Sequence, residues 1–149
     1  MWNNNKSLML SNIAVLMFMV LLIGVWFISP QLVARLQSLS LSANAVHIGI
    51  FLLTIYLGSI PAVIILVQMH LLLKRIMNGD VFVQDNVTAL RIMAWCFFIG
   101  GIIAMASGFY YFPWFAIGIS AGFMGLVMRV LKNVFAAAVA LQVEADYTI

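Results

Sequence analysis

Lys74 to Arg91 reads KRIMNGDVFVQDNVTALR, the one central segment where an otherwise apolar text gives way to several charges, a turn and a new helix start. Lys74 and Arg75 suit the last turn of an incoming helix, where positive charge complements the helix dipole. Asn78-Gly79 supplies a left-handed stop. Val81-Phe82-Val83 is short and extended, with the Phe82 ring expected to tuck against the end of the bundle. Asp85 is predicted to N-cap the outgoing helix, whose first turns carry Val87, Leu90 and Arg91.

Working outward, both flanks are hydrocarbon-facing text. The chain is 66% hydrophobic and 7% charged over 149 residues, whereas soluble domains carry about 25% charge. A mean hydropathy of +1.17 completes the argument for an integral membrane protein. The length accommodates roughly four spans of about 20 residues with short links.

Residues 8–28 carry no charge and are expected to form a retained first span rather than a cleaved signal, because the run ends in Trp26-Phe27-Ile28-Ser29-Pro30 without a small-x-small site. From Ser29 to Asn44 the pattern changes: Gln31, Arg35, Ser38 and Ser42 recur on one face and Leu32, Leu36 and Leu39 on the other. This spacing predicts a short amphipathic interfacial helix, with Ser29 as cap and Pro30 at its first position; a partner-binding helix would read the same way. The second span, 46–73, contains Pro61 after Gly58 and Ser59, so a kink is expected there.

The third span, 92–111, and the fourth, 115–139, meet at the aromatic turn Tyr110-Tyr111-Phe112-Pro113-Trp114. Such rings favour the headgroup level. Gly100, Ala104 and Gly108, facing Gly118 and Gly122, are small residues at four-residue spacing that let two backbones approach closely. They predict a hairpin of the third and fourth spans, and the same stripe would serve a homo-oligomer face. Arg129 and Lys132 are placed at a membrane boundary, since a mid-bilayer charge costs at least ~2.5 kcal/mol.

The predicted fold class is therefore all-α: one domain, 1–149, an antiparallel four-helix membrane bundle with connector 74–91 and tail 140–149. Lys6, Lys74, Arg75, Arg91, Arg129 and Lys132 fall on one side and Arg35 alone on the other. The positive-inside rule then puts both termini and the connector in the cytoplasm, together with all four acids: Asp80, Asp85, Glu144 and Asp146.

Gly79-x-x-Phe82-x-x-x-Asn86 followed by Leu90-Arg91, together with the ending Leu141-Gln142-Val143-Glu144-Ala145-Asp146-Tyr147-Thr148-Ile149, resembles the small bacterial four-helix membrane proteins catalogued as domain of unknown function twenty-nine seventy-five. The layout is similar over essentially the whole chain, and the two short motifs carry the specificity. Val83 stands where that family tends to have a capping Thr or Ser; Val143 and Ala145 replace a tail acid and a tail Asn. The resemblance implies no known enzyme activity, location in the bacterial inner membrane, and an association with a small helix-turn-helix regulator of the Xre type.

These readings converge on a non-enzymatic membrane protein that binds a cytoplasmic partner through Lys74, Arg75, Gly79, Phe82, Asn86, Arg91, Glu144, Asp146, Thr148 and Ile149. Within that surface the bases are expected to attract Glu144 and Asp146. An accessory or immunity-type subunit of a larger membrane complex is the alternative, and a small transporter or channel is less favoured because no acid lies within a span.

No cofactor, no metal and no direct nucleic-acid contact is expected. His47 and His70 lie near opposite ends of one span, lone Cys96 reads as a packing residue, and the basic residues are scattered at helix ends. No Ser, His and acid converge to support a nucleophile.

Overall fold

The computed structural model describes residues 4–39 and 48–148. They form four helices in chain order: α1 (Asn4–Leu39), α2 (Ile48–Met77), α3 (Gln84–Ser107) and α4 (Pro113–Tyr147). All four are long and apolar enough to cross a membrane, so the fold is the expected all-α membrane bundle.

Cross-contacts give the directions. His70 meets Asn12 while Tyr56 meets Trp26 and Ser29; Leu72 packs with Ala89 while Thr54 meets Ser107; Gly101 faces Gly118 while Gly108 faces Phe115. In each pair one number rises as the other falls, so successive helices are antiparallel. Among the described residues the helix backbones pack sequentially, α1 on α2, α2 on α3 and α3 on α4. This makes α2 and α3 the inner helices, each with two neighbours.

One span differs from expectation. Ser29-Pro30 does not start a separate interfacial helix: α1 runs unbroken through Pro30 to Leu39, and Ser29 Oγ donates back to the Trp26 carbonyl at 3.2 Å. A proline interrupts one intrahelical bond, and a neighbouring helix and hydroxyl side chains compensate more readily in a membrane protein than in water. The remainder of that predicted helix, 40–44, lies outside the described residues, as does His47. Pro61 sits within α2, buried where Gly100 of α3 faces it.

The α3/α4 contact brings backbone close to backbone, and one of its small residues is offset by one from the predicted stripe. A Cβ on Gly101 would lie 3.2 Å from the Gly118 carbonyl oxygen and 3.3 Å from the Gly122 nitrogen. Gly118 in turn faces Met105 and the Gly101 carbonyl. Ala104 is buried and Gly108 lies under the Phe115 ring. Gly100, by contrast, points towards α2, where a Cβ would meet Pro61 Cγ at 3.6 Å. The predicted hairpin forms, therefore, but Gly101 rather than Gly100 is its closest point on α3.

Candidate functional site

The connector is built by backbone bonds. Asp80 N–H donates to the Arg75 carbonyl at 3.0 Å and Gly79 N–H to the Ile76 carbonyl at 3.1 Å, the paired closure of a Schellman turn. Gly79 has φ of 93°, a left-handed conformation that a side chain would strain. The expected stop thus forms where the sequence put it.

The start of α3 differs. Val83, not Asp85, occupies the N-cap position, with extended backbone and no side-chain cap. Asp85 sits within the first turn, where its charge still complements the dipole. There it pairs with Arg75, 3.8 Å from its guanidinium. Both partners are solvent-accessible, so the pair contributes at most about 1 kcal/mol.

Asn86 takes over the tying role. It is 0% exposed, and its Nδ2 donates to the carbonyls of Asp80 at 2.9 Å and Val81 at 2.8 Å. A residue expected to touch a partner therefore works from inside, shaping the loop that is exposed. Beneath it lies the core cluster of Leu72, Ala89, Leu90, Met93, Ala94 and Met128. This cluster anchors the connector to all three neighbouring helices.

Phe82 lies with its ring centroid 5.8 Å from that of Phe135 on α4. It nevertheless keeps 48% of its surface exposed. Residues Gly79 to Val83 and Gln142 line one cleft of about 230 Å³, so connector and tail meet at the same end of the molecule. The tail itself, predicted as a separate segment over 140–149, is helix as far as Tyr147. Glu144, Asp146 and Thr148 are exposed, while Ile149 lies outside the described residues.

The expected attraction between connector bases and tail acids does not produce ion pairs. Among the described residues the one salt bridge is Arg75 with Asp85; α4 continues as helix through Glu144 and Asp146 to Tyr147 instead of folding them back. Lys74 is exposed beside Arg75. Arg91 joins Arg129 and Lys132 in a different cleft, between α3 and α4.

The opposite end is aromatic and hydroxylic. Phe51 of α2 centres a cluster with Tyr110 at 6.0 Å, Tyr111 at 5.4 Å and Trp114 at 5.8 Å between ring centroids. Thr54 Oγ1 lies 2.9 Å from Ser107 Oγ and 2.6 Å from the Tyr110 hydroxyl. Below them Gly58, Pro61 and Gly100 leave an apolar cavity of about 360 Å³ that reaches Cys96 and Trp114. No group of three or more His, Cys, Asp or Glu that could hold a metal occurs among the described residues.

Four antiparallel helices, each long and apolar enough to cross a membrane, define a multi-pass helical membrane protein. Residues 4–149 match the family described as Protein of unknown function (DUF2975), and the chain belongs to that family. No curated protein and no solved structure matches it.

Proposed function

We propose that this chain is a non-enzymatic multi-pass protein of the bacterial inner membrane, with both termini and the connector in the cytoplasm, that docks a small helix-turn-helix regulator on its connector and C-terminal helix. The observation that carries this reading is the shared cleft of connector and tail beside a half-exposed Phe82. A turn needed only for solubility would have little use for a large apolar ring there.

The length of α4 supports it. At 1.5 Å per residue, 35 residues reach about 52 Å, against a hydrocarbon core of about 30 Å. The last turns therefore project from the bilayer as a helix that a partner can grip beside the connector. Its exposed carboxylates suit a basic DNA-binding protein, whose on-rate they would raise.

Membrane extracts containing the full chain and a candidate Xre-type regulator provide the test. Phe82→Asp, or deletion of Thr148 and Ile149, is expected to lower co-purified regulator at least about tenfold, equivalent to about 1.4 kcal/mol. Cysteines introduced at Gln84 or Gln142 should resist an impermeant thiol reagent applied outside intact cells. Undiminished capture by both variants would overturn the docking role, and outside labelling would overturn the orientation.

A further inference from the structure

Three cations converge on the face between α3 and α4. Arg91, Arg129 and Lys132 line a cleft of about 140 Å³ with Ala94, Trp95 and Phe98. Arg91 and Trp95 are four apart on α3, and Arg129 and Lys132 three apart on α4, so each pair shares a helix face. Phe98 packs over Gly125, where a Cβ would meet its ring at 3.1 Å, and its ring centroid lies 6.4 Å from that of Trp95.

None of the three cations is paired with a carboxylate: the one ion pair among the described residues is Arg75 with Asp85. Like charges gathered against an aromatic floor repel one another, and an anion between them removes that repulsion.

Depth selects the anion. Arg91 lies 16 residues before the end of α3 at Ser107, and Arg129 16 residues after the start of α4 at Pro113. Each is therefore about 24 Å along its helix from the aromatic turn. With that turn at one headgroup layer and a hydrocarbon core of about 30 Å, long basic side chains reach the opposite headgroup layer. Trp95 and Phe98, four and seven residues nearer the aromatic turn than Arg91 on α3, lie at acyl-chain depth. The groups a bilayer presents in that headgroup layer at high local concentration are lipid phosphates.

We propose that this cleft is a binding site for the phosphate headgroup of an anionic phospholipid. Arg91, Arg129 and Lys132 hold the phosphate oxygens, and Trp95 and Phe98 pack against the acyl chain that runs inward from it. A zwitterionic lipid brings its own ammonium into a cluster of cations and is disfavoured. The site is separate from the connector–tail cleft and does not depend on any protein partner.

The full chain in detergent, incubated with equal amounts of phosphatidylglycerol and phosphatidylcholine, is examined by native mass spectrometry. Wild type is expected to retain phosphatidylglycerol selectively. Each surface cation is worth about fivefold in anionic-lipid affinity, so Arg91→Gln should reduce retention about fivefold. The Arg129→Gln/Lys132→Gln variant should reduce it about 25-fold on the same basis. Lys74→Gln/Arg75→Gln, which removes two cations elsewhere, should leave it unchanged. Equal retention of the two lipids by wild type, or an equal loss in the Lys74/Arg75 variant, would overturn the proposal. Displacement of the lipid by excess inorganic phosphate would assign the cleft to a free anion and overturn the lipid assignment. Arg91→Gln, at an exposed position, keeps the test decisive if the double variant is poorly folded.

Discussion

The α3/α4 hairpin and the outer helix α1 are both apolar helices of membrane-spanning length, yet they are held in different ways. In the most apolar window of α3, 39% of residues are buried within the protein; in that of α1 the figure is 6%. Burying apolar surface gives no hydrophobic gain when lipid is the alternative, so helices associate through close packing and interhelical hydrogen bonds. The hairpin uses the first device, with Gly101 and Gly118 bringing backbone onto backbone. α1 relies on the second, with Asn12 bonded to His70 and a Ser29–Tyr56–Trp26 chain of longer contacts. An apolar surface on its own thus does not tell a membrane helix where to sit; small residues and polar side chains do.

The largest effect expected from this contrast comes from bulk at the hairpin. Gly118→Leu would drive a side chain into Met105 and towards the Gly101 carbonyl, 3.0 Å from the new Cβ, and backbone cannot yield as a flexible side chain can. Destabilisation of about 3 kcal/mol or more is expected. Gly24→Leu on α1, whose Cβ meets nothing within 4 Å, should change stability by no more than about 0.5 kcal/mol. Thermal unfolding of both variants in the same detergent measures the difference. Similar melting temperatures would remove the distinction between packed hairpin and lipid-facing edge.

The same contrast explains what was legible in the sequence. Helix number, the Gly79 stop and the aromatic turn follow from local chemistry, and all three appear in place. The four-residue stripe located the hairpin but not its closest residue, because Gly100 and Gly101 are adjacent and only the roll of α3 against two neighbours decides which meets α4. Asn86 was visible as part of a motif, yet its burial depends on the loop folding back over it, which no periodicity encodes. The Arg91–Arg129–Lys132 cleft was hidden for a related reason: the residues are nearly forty positions apart in sequence and come level only because α3 and α4 run antiparallel from a short turn. Phe51 reads as one more apolar residue until α2 carries it to the aromatic turn. The unbroken passage of α1 through Pro30 reflects surroundings rather than propensity.

An intermediate effect is expected at Asn86, where the hairpin end meets the connector. Asn86→Ala removes two donors from the Asp80 and Val81 carbonyls and leaves a small cavity, for about 1–3 kcal/mol. Asn86→Asp should be at least as damaging, because an ionised carboxylate would set acceptor against acceptor in a buried site. Limited proteolysis would separate local from global damage. Cleavage between Gly79 and Gln84 should rise in both variants before the bundle melts, whereas unchanged cleavage would mean that the Schellman turn holds the connector without Asn86.

The smallest effect, and the finest test of the contrast, lies in the Asn12–His70 bond. The Asn12 Oδ1 to His70 Nδ1 distance is 2.7 Å, a short hydrogen bond by protein standards. Interhelical bonds in membrane proteins nevertheless average only about 0.6 kcal/mol and reach about 1.7, because an undocked helix finds other partners for its polar groups. Asn12→Ala, His70→Ala and the double variant form a cycle whose coupling energy isolates the bond. A coupling of about 0.5–1.5 kcal/mol is expected, read from thermal unfolding of wild type and the three variants in the same detergent. A coupling near zero would mean that α1 is held by side-chain packing alone, despite its exposure. The two halves of the molecule would then differ in the amount of contact and not in its kind.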